Sequence, residues 1–130
     1  MTGHRLILDA GALIHLERKP RGHVFTACRD VLATGKPPLL PTVVLAQVWR
    51  ASPRQAPLAT VRQMCRSVPF TDEVAEAAGR LLALSGTADV VDAAVVVTAI
   101  SYGGVVLTSD PEDLTKLADA AGVSVPLVVV

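Results

Sequence analysis

The chain has 130 residues, 51% of them hydrophobic, and a formal net charge of zero. That size and composition predict one domain with a real core across residues 1–130, and the charge balance excludes any bulk attraction to nucleic acid or anionic lipid, so such contacts must come from local patches. Aromatic residues are few (Phe25, Trp49, Phe70 and Tyr102), so Val, Leu, Ile and Ala build the core, which suits a buried sheet covered by helices.

Arg5-Leu6-Ile7-Leu8 is a short apolar run closed by Asp9 and reads as a strand, after which Ala10–Arg18 places Leu13, Ile14 and Leu16 at helical spacing. Pro20 and Gly22 break the chain, Val24–Ala33 reads as a second helix, and Gly35 with Pro37-Pro38 stops it before a buried strand at Leu39-Leu40. Thr42 is placed as the N-cap of a helix running through Arg50, and a polar loop extends from Ser52-Pro53 to Pro57. Leu58–Cys65 reads as a helix and Ser67–Phe70 as extended chain. Thr71 then caps a helix that carries Asp72 and Glu73 in its first turn and ends near Ser85-Gly86.

The most apolar helix, Val90–Tyr102, starts from Thr87-Ala88-Asp89 and ends at Gly103-Gly104; being apolar nearly all round, it is expected to be buried. Val105–Ser109 reads as a central strand, Asp110-Pro111 as N-cap and first helical residue, and Leu114–Ala121 as a helix closed by Gly122. Val125–Val129 is the last strand, expected at an edge because Pro126 has no N–H for a ladder. Strands alternating with helices imply a three-layer α/β/α fold around a central, mostly parallel sheet.

Met1–Ile7 lacks the apolar stretch of a signal peptide, and Val90–Ile100 is short and carries Asp92, so a cytoplasmic location with no membrane span is expected. Cys28 and Cys65 have neither CxxC nor metal-finger spacing and read as free thiols. The apolar surplus suits self-association.

Asp9 and Asp110 each follow a strand, on the side of a parallel sheet where ligands bind at a topological switch point, although Asp is also a favoured N-cap and both precede helices. Asp89 and Asp92 lie one turn apart at the start of the apolar helix. Capping explains Asp89, but a carboxylate at Asp92 on a buried helix is costly without a partner or a metal. Asp113, three after Asp110, is either an outer acid of the same cluster or, as preferred here, a first-turn charge that stabilises its own helix. Carboxylates gathered without Cys or clustered His select Mg²⁺ or Mn²⁺ and suit phosphodiester hydrolysis by metal-activated water.

Four segments, Ile7-Leu8-Asp9-Ala10, Pro41 to Arg50 with its Ala46-Gln47-Val48, Asp89-Val90-Val91-Asp92-Ala93-Ala94 and Leu107-Thr108-Ser109-Asp110 followed by Asp113-Leu114, together resemble the PIN-domain ribonucleases of the VapC toxin type. The resemblance covers nearly the whole chain. It implies a PIN fold and a Mg²⁺ or Mn²⁺ dependent endoribonuclease, the toxin of a type II toxin–antitoxin pair, that acts on RNA, forms a homodimer and is held by a cognate antitoxin. Asp9, Asp92 and Asp110 then correspond to three of the family's four acids, as catalytic residues and metal ligands, with Asp89 and Asp113 as auxiliary acids.

The fourth acid is normally a Glu, and Gln47 stands in its place. An amide oxygen can ligate a metal or hold a water, but it brings no charge and cannot act as a base near neutral pH. The alternative reading is therefore a catalytically weakened PIN domain that binds RNA or an antitoxin. Arg50, Thr108 and Ser109 are candidates for substrate contact or for orienting a ligand carboxylate, against ordinary exposed or strand-end roles. Two basic groups, Arg18, Lys19, Arg21 and His23, then Arg50, Arg54, Arg62 and Arg66, either line an RNA groove or are simply solvated. A phosphoacceptor using Asp9 is a third reading, weakened by Ala10-Gly11 where a second acid would be expected. Dehydrogenases and P-loop enzymes are disfavoured because GxGxxG and GxxxxGK[ST] are both missing.

Overall fold

The computed structural model describes residues 4–130, so the start of the Met1–Ile7 run lies outside the described residues. In chain order the elements are β1 (Arg5–Leu8), α1 (Ala10–Arg18), α2 (His23–Ala33), β2 (Leu39–Pro41), α3 (Thr42–Val48), a 3-10 turn (Pro53–Gln55), α4 (Ala56–Met64), β3 (Arg66–Val68), α5 (Asp72–Ser85), α6 (Val90–Tyr102), β4 (Gly104–Thr108), α7 (Pro111–Ala120) and β5 (Leu127–Val129). The strands form one sheet in the order β3-β2-β1-β4-β5, and every pairing is parallel.

β1 is the pivot of this order. The chain first moves outward from β1 to β2 and β3, then returns to the other flank for β4 and β5. The switch point therefore lies between β1 and β4, where Leu8 pairs with Leu107. Ile7, Leu8, Leu39, Leu40 and Val106 are almost wholly buried because the sheet is covered by helices. One layer is α6 against β1, β2 and β4, with α5 and α7 packed on it, and the other is α1 against β1 and β4, with α2 and α4 packed on α1. Among the described residues no single helix is long and apolar enough to cross a membrane, and Cys28 and Cys65 are free.

Several element ends follow their chemistry closely. Thr71 Oγ1 accepts the Val74 N–H at 3.2 Å, and α5 closes on Gly86 at φ +68°. Gly103 closes α6 at φ +67°. Gly104 does a different job from the stop signal read in the sequence: it opens β4 beside Arg5, where a Cβ would collide with the Arg5 carbonyl and the Ile7 side chain. β5 lies at the sheet edge, as its proline suggests, but it is shorter than Val125–Val129. Pro126 stays outside the strand while its carbonyl accepts the Val106 N–H at 3.0 Å.

Three boundaries differ from expectation. α3 has Pro41, not Thr42, at its N-cap position and stops at Val48, so Arg50 is not on the same helix as Gln47. The helix ends there because the Gln55 side chain takes over its polar groups: Oε1 accepts the Arg50 N–H at 2.8 Å and Nε2 donates to the Val48 carbonyl at 2.8 Å. α4 begins at Ala56, ahead of Leu58, with Pro57 in a first turn that needs no proline N–H. β3 covers Arg66–Val68, where it pairs with Leu39–Pro41, and leaves Pro69 and Phe70 outside the sheet.

Candidate metal centre

Asp9 leaves β1 and Asp110 leaves β4, so parallel pairing of these two neighbours brings both to one end of the sheet. Asp9 is buried, caps α1 by accepting the Ala12 N–H at 2.9 Å, and donates its own N–H to the Leu107 carbonyl. Burial pushes its carboxyl above the usual range, opposed by the Thr108 hydroxyl beside it and by the Ala12 and Gly11 N–H groups. Thr108 is fully buried, and its Oγ1 also accepts the Asp110 N–H at 2.8 Å. One hydroxyl thus links the ends of two strands.

α6 brings up the third acid. Asp89 caps the helix by accepting the Asp92 N–H at 2.9 Å, and this fixes Asp92 in the first turn. Asp110 stands at the N-cap position of α7 yet makes no capping bond through its side chain. Instead, carboxylate oxygens of Asp92, Asp110 and Asp113 lie within 4.8 Å of one another. Asp113, read in the sequence mainly as a helix charge, sits in this group, because one turn of α7 carries it back over the β4 end.

The electrostatics are those of crowded like charges. Burial, followed by the charges of Asp89, Asp110, Asp113 and Asp9, pushes the Asp92 carboxyl up to about 7. Asp110 is also raised, first by sharing a hydrogen bond with the Asp113 carboxyl and then by burial and by the charges of Asp113 and Asp9. Crowding of this kind favours a bound proton or cation at Asp92 over a bare charge. The donors are all hard oxygens, half-buried at Asp92 and exposed at Asp110 and Asp113. They fit a divalent ion that keeps several of its waters.

The other candidates surround this centre. Gln47 is exposed on α3 and lines a cleft of about 330 Å³ with Ala10, Ile14, Glu17 and Arg50. Arg50 bends back, its Nη1 donating to the Ala46 carbonyl at 3.2 Å and the Trp49 carbonyl at 2.7 Å. Ser109 is exposed and packs over Gly11, lining a second cleft of about 310 Å³ with His15 and Arg18. Ile14, 43% exposed, lines both clefts. Sequence reasoning passed over Glu17 and Gln55: Gln55 Nε2 donates to Glu17 Oε1 at 2.7 Å, a contact between distant segments that no local pattern announces.

The model of the PIN domain matches residues 6–120. Among curated proteins none matches the sequence significantly. Solved structures do match. VapBC2 from Rickettsia felis bound to a DNA fragment from its promoter aligns at 13% identity and TM-score 0.69, over 96% of this chain and 98% of that one. DNA-bound VapBC from Salmonella typhimurium aligns at 18% identity and TM-score 0.69, over 97% and 98%. PAE2754 from Pyrobaculum aerophilum aligns at 14% identity and TM-score 0.63, over 96% and 83%. At these identities the likeness is one of fold.

Proposed function

Because this chain belongs to the PIN-domain family, we propose that it is a VapC-type toxin: a cytoplasmic, Mg²⁺ or Mn²⁺ dependent endoribonuclease that is held in check by a cognate antitoxin and works as a homodimer. The observation that carries this reading is the convergence of Asp92, Asp110 and Asp113 oxygens within 4.8 Å at the strand ends, with buried Asp9 alongside. The two structural neighbours that are VapBC complexes support the choice of partner.

In this reading Asp92 and Asp110, joined by Asp113, hold the ion, while Asp9, also expected from the sequence as a ligand, lies outside the group of oxygens within 4.8 Å, adds its charge to the cluster and anchors the start of α1. When bound, the ion lowers the pKa of a coordinated water and offsets charge on the phosphate. Thr108 keeps the Asp9 and Asp110 ends in register, while Asp89 fixes the angle at which Asp92 enters. Arg50 and Ser109 line the two clefts, along which an RNA strand would pass in this reading.

A second reading has its own observation. Gln47 is exposed and uncharged at the family's Glu position, so the centre lacks one anionic ligand. A domain weakened in this way would bind RNA or antitoxin without cutting.

Total cellular RNA incubated with the protein and Mg²⁺ or Mn²⁺, against EDTA and beside Asp9→Asn and Gln47→Glu, separates the two. Metal-dependent cuts lost in Asp9→Asn establish the nuclease. Activity confined to Gln47→Glu means a centre disabled at one ligand, and silence from both variants and parent favours the binding module.

A further inference from the structure

The cleft beside the acids has features that metal binding does not use. Ala10, directly after Asp9, is part of its wall, so it opens next to the centre. Ile14 and Val48 give it apolar surface, and Glu17 and Arg54 give it opposite charges. The wall formed by residues 49–54 is held in place: Gln55, only 5% exposed, bonds to Arg50, Val48 and Glu17, and Ala51 is kept at φ +55°, a conformation that favours glycine. Non-glycine residues are held this way where a loop has to present a set shape.

Two groups in this cleft have binding capacity left over. Glu17 Oε1 is engaged by Gln55, and among the described residues its second oxygen has no hydrogen-bond partner. The Arg54 guanidinium forms no ion pair among the described residues, in contrast to Arg50, whose Nη1 is spent on backbone carbonyls. A cleft of about 330 Å³ lies at the lower end of the range for small ligands, roughly 300–1,000 Å³.

We propose that this cleft is a nucleotide subsite for the RNA strand, in which Arg54 meets a backbone phosphate, Ile14 and Val48 pack on the base, and Glu17 accepts an N–H from an amino-bearing base edge. Adenine, cytosine and guanine present an exocyclic amine to such a carboxylate. Uracil has one N–H flanked by two carbonyl acceptors that repel it, so Glu17 selects against uracil. Reading single-stranded RNA by its exposed base edges is the common mode of sequence recognition. Glu17 is thus a specificity-determining residue and Arg54 a phosphate contact, and both assignments rest on the RNA substrate proposed above.

The test is titration of the metal-free protein with AMP, CMP, GMP and UMP, followed by NMR shifts of the Ile14 methyl groups. The expected result is binding that moves Ile14, with UMP weaker than the other three by at least about fivefold. Glu17→Ala should bring the four affinities together, whereas Arg54→Gln should weaken all four alike and leave their ratios unchanged. Equal affinities in the parent, shifts that bypass Ile14, or a preference that survives Glu17→Ala would overturn the proposal, as would the absence of any nucleotide binding, which would leave the cleft to a protein partner. Neither metal nor cleavage enters this readout, so an inactive chain can pass it and an active nuclease can fail it.

Discussion

Nε2 of Gln55 donates to Oε1 of Glu17 at 2.7 Å across 38 positions of sequence, and the same nitrogen donates to the Val48 carbonyl. This one amide ties the end of α3 to α1. Gln55→Ala leaves the Val48 carbonyl and the Arg50 N–H without their partner and should cost about 1–3 kcal/mol. Urea unfolding should show a lower midpoint at unchanged slope; an unmoved midpoint would mean the clamp contributes nothing to stability.

The crowding at Asp92 makes stability depend on pH in a definite direction. An acid whose carboxyl is raised to about 7 in the folded state starts near 4 when unfolded. The folded state therefore binds the extra proton between those values. Stability from this group is present at low pH and is lost as pH rises from about 4 to about 7. Metal-free protein should show a thermal midpoint that falls across this window, and Asp92→Asn should flatten the fall. An equally steep fall in Asp92→Asn would assign the effect to another group.

Added Mg²⁺ or Mn²⁺ should raise the midpoint most above pH 7, where the carboxylates are bare. Asp113→Asn should weaken Mn²⁺ binding by calorimetry about as much as Asp110→Asn does, by at least about tenfold. Asp89→Ala should instead cost about 1 kcal/mol of stability through the lost cap and leave most of the affinity. If Asp113→Asn binds Mn²⁺ like the parent, its place in the group is only geometric.

Gly11 sits under Ser109 so closely that a Cβ there would overlap the Ser109 hydroxyl and press on its backbone. Gly11→Ala should therefore destabilise by about 1–3 kcal/mol and displace the β4–α7 turn that carries Asp110. Mn²⁺ affinity should fall in step with the unfolding midpoint. Unchanged affinity in a destabilised variant would show that the turn does not depend on this contact.

Much of the fold was legible because its signals are local. Thr71, Asp89, Gly86 and Gly103 act within one turn of themselves, and Asp9 and Asp110 end apolar runs, so their strand-end positions follow from the pattern alone. The sheet order was not legible, since it depends on which flank of β1 each crossover takes. Asp113 had two readings for a physical reason: a first-turn acid accounts for itself energetically, and only the folded turn at Asp110 shows that its oxygen also lies within 4.8 Å of those of Asp92 and Asp110. The stop of α3 was invisible because no residue within the helix causes it. Gln55 does, from beyond the loop.

The carboxylates of the centre come from the end of β1, the start of α6 and the start of α7, and β1 and β4 must already be paired to bring them together. A chain growing from its N-terminus has none of this arrangement until Asp113 and the residues around it have left the ribosome. Contacts between such distant segments also form slowly, because the loop between them must close first. Nascent and partly unfolded forms therefore carry the acids without the centre, and any ion they hold is held by scattered carboxylates and not by the gathered set.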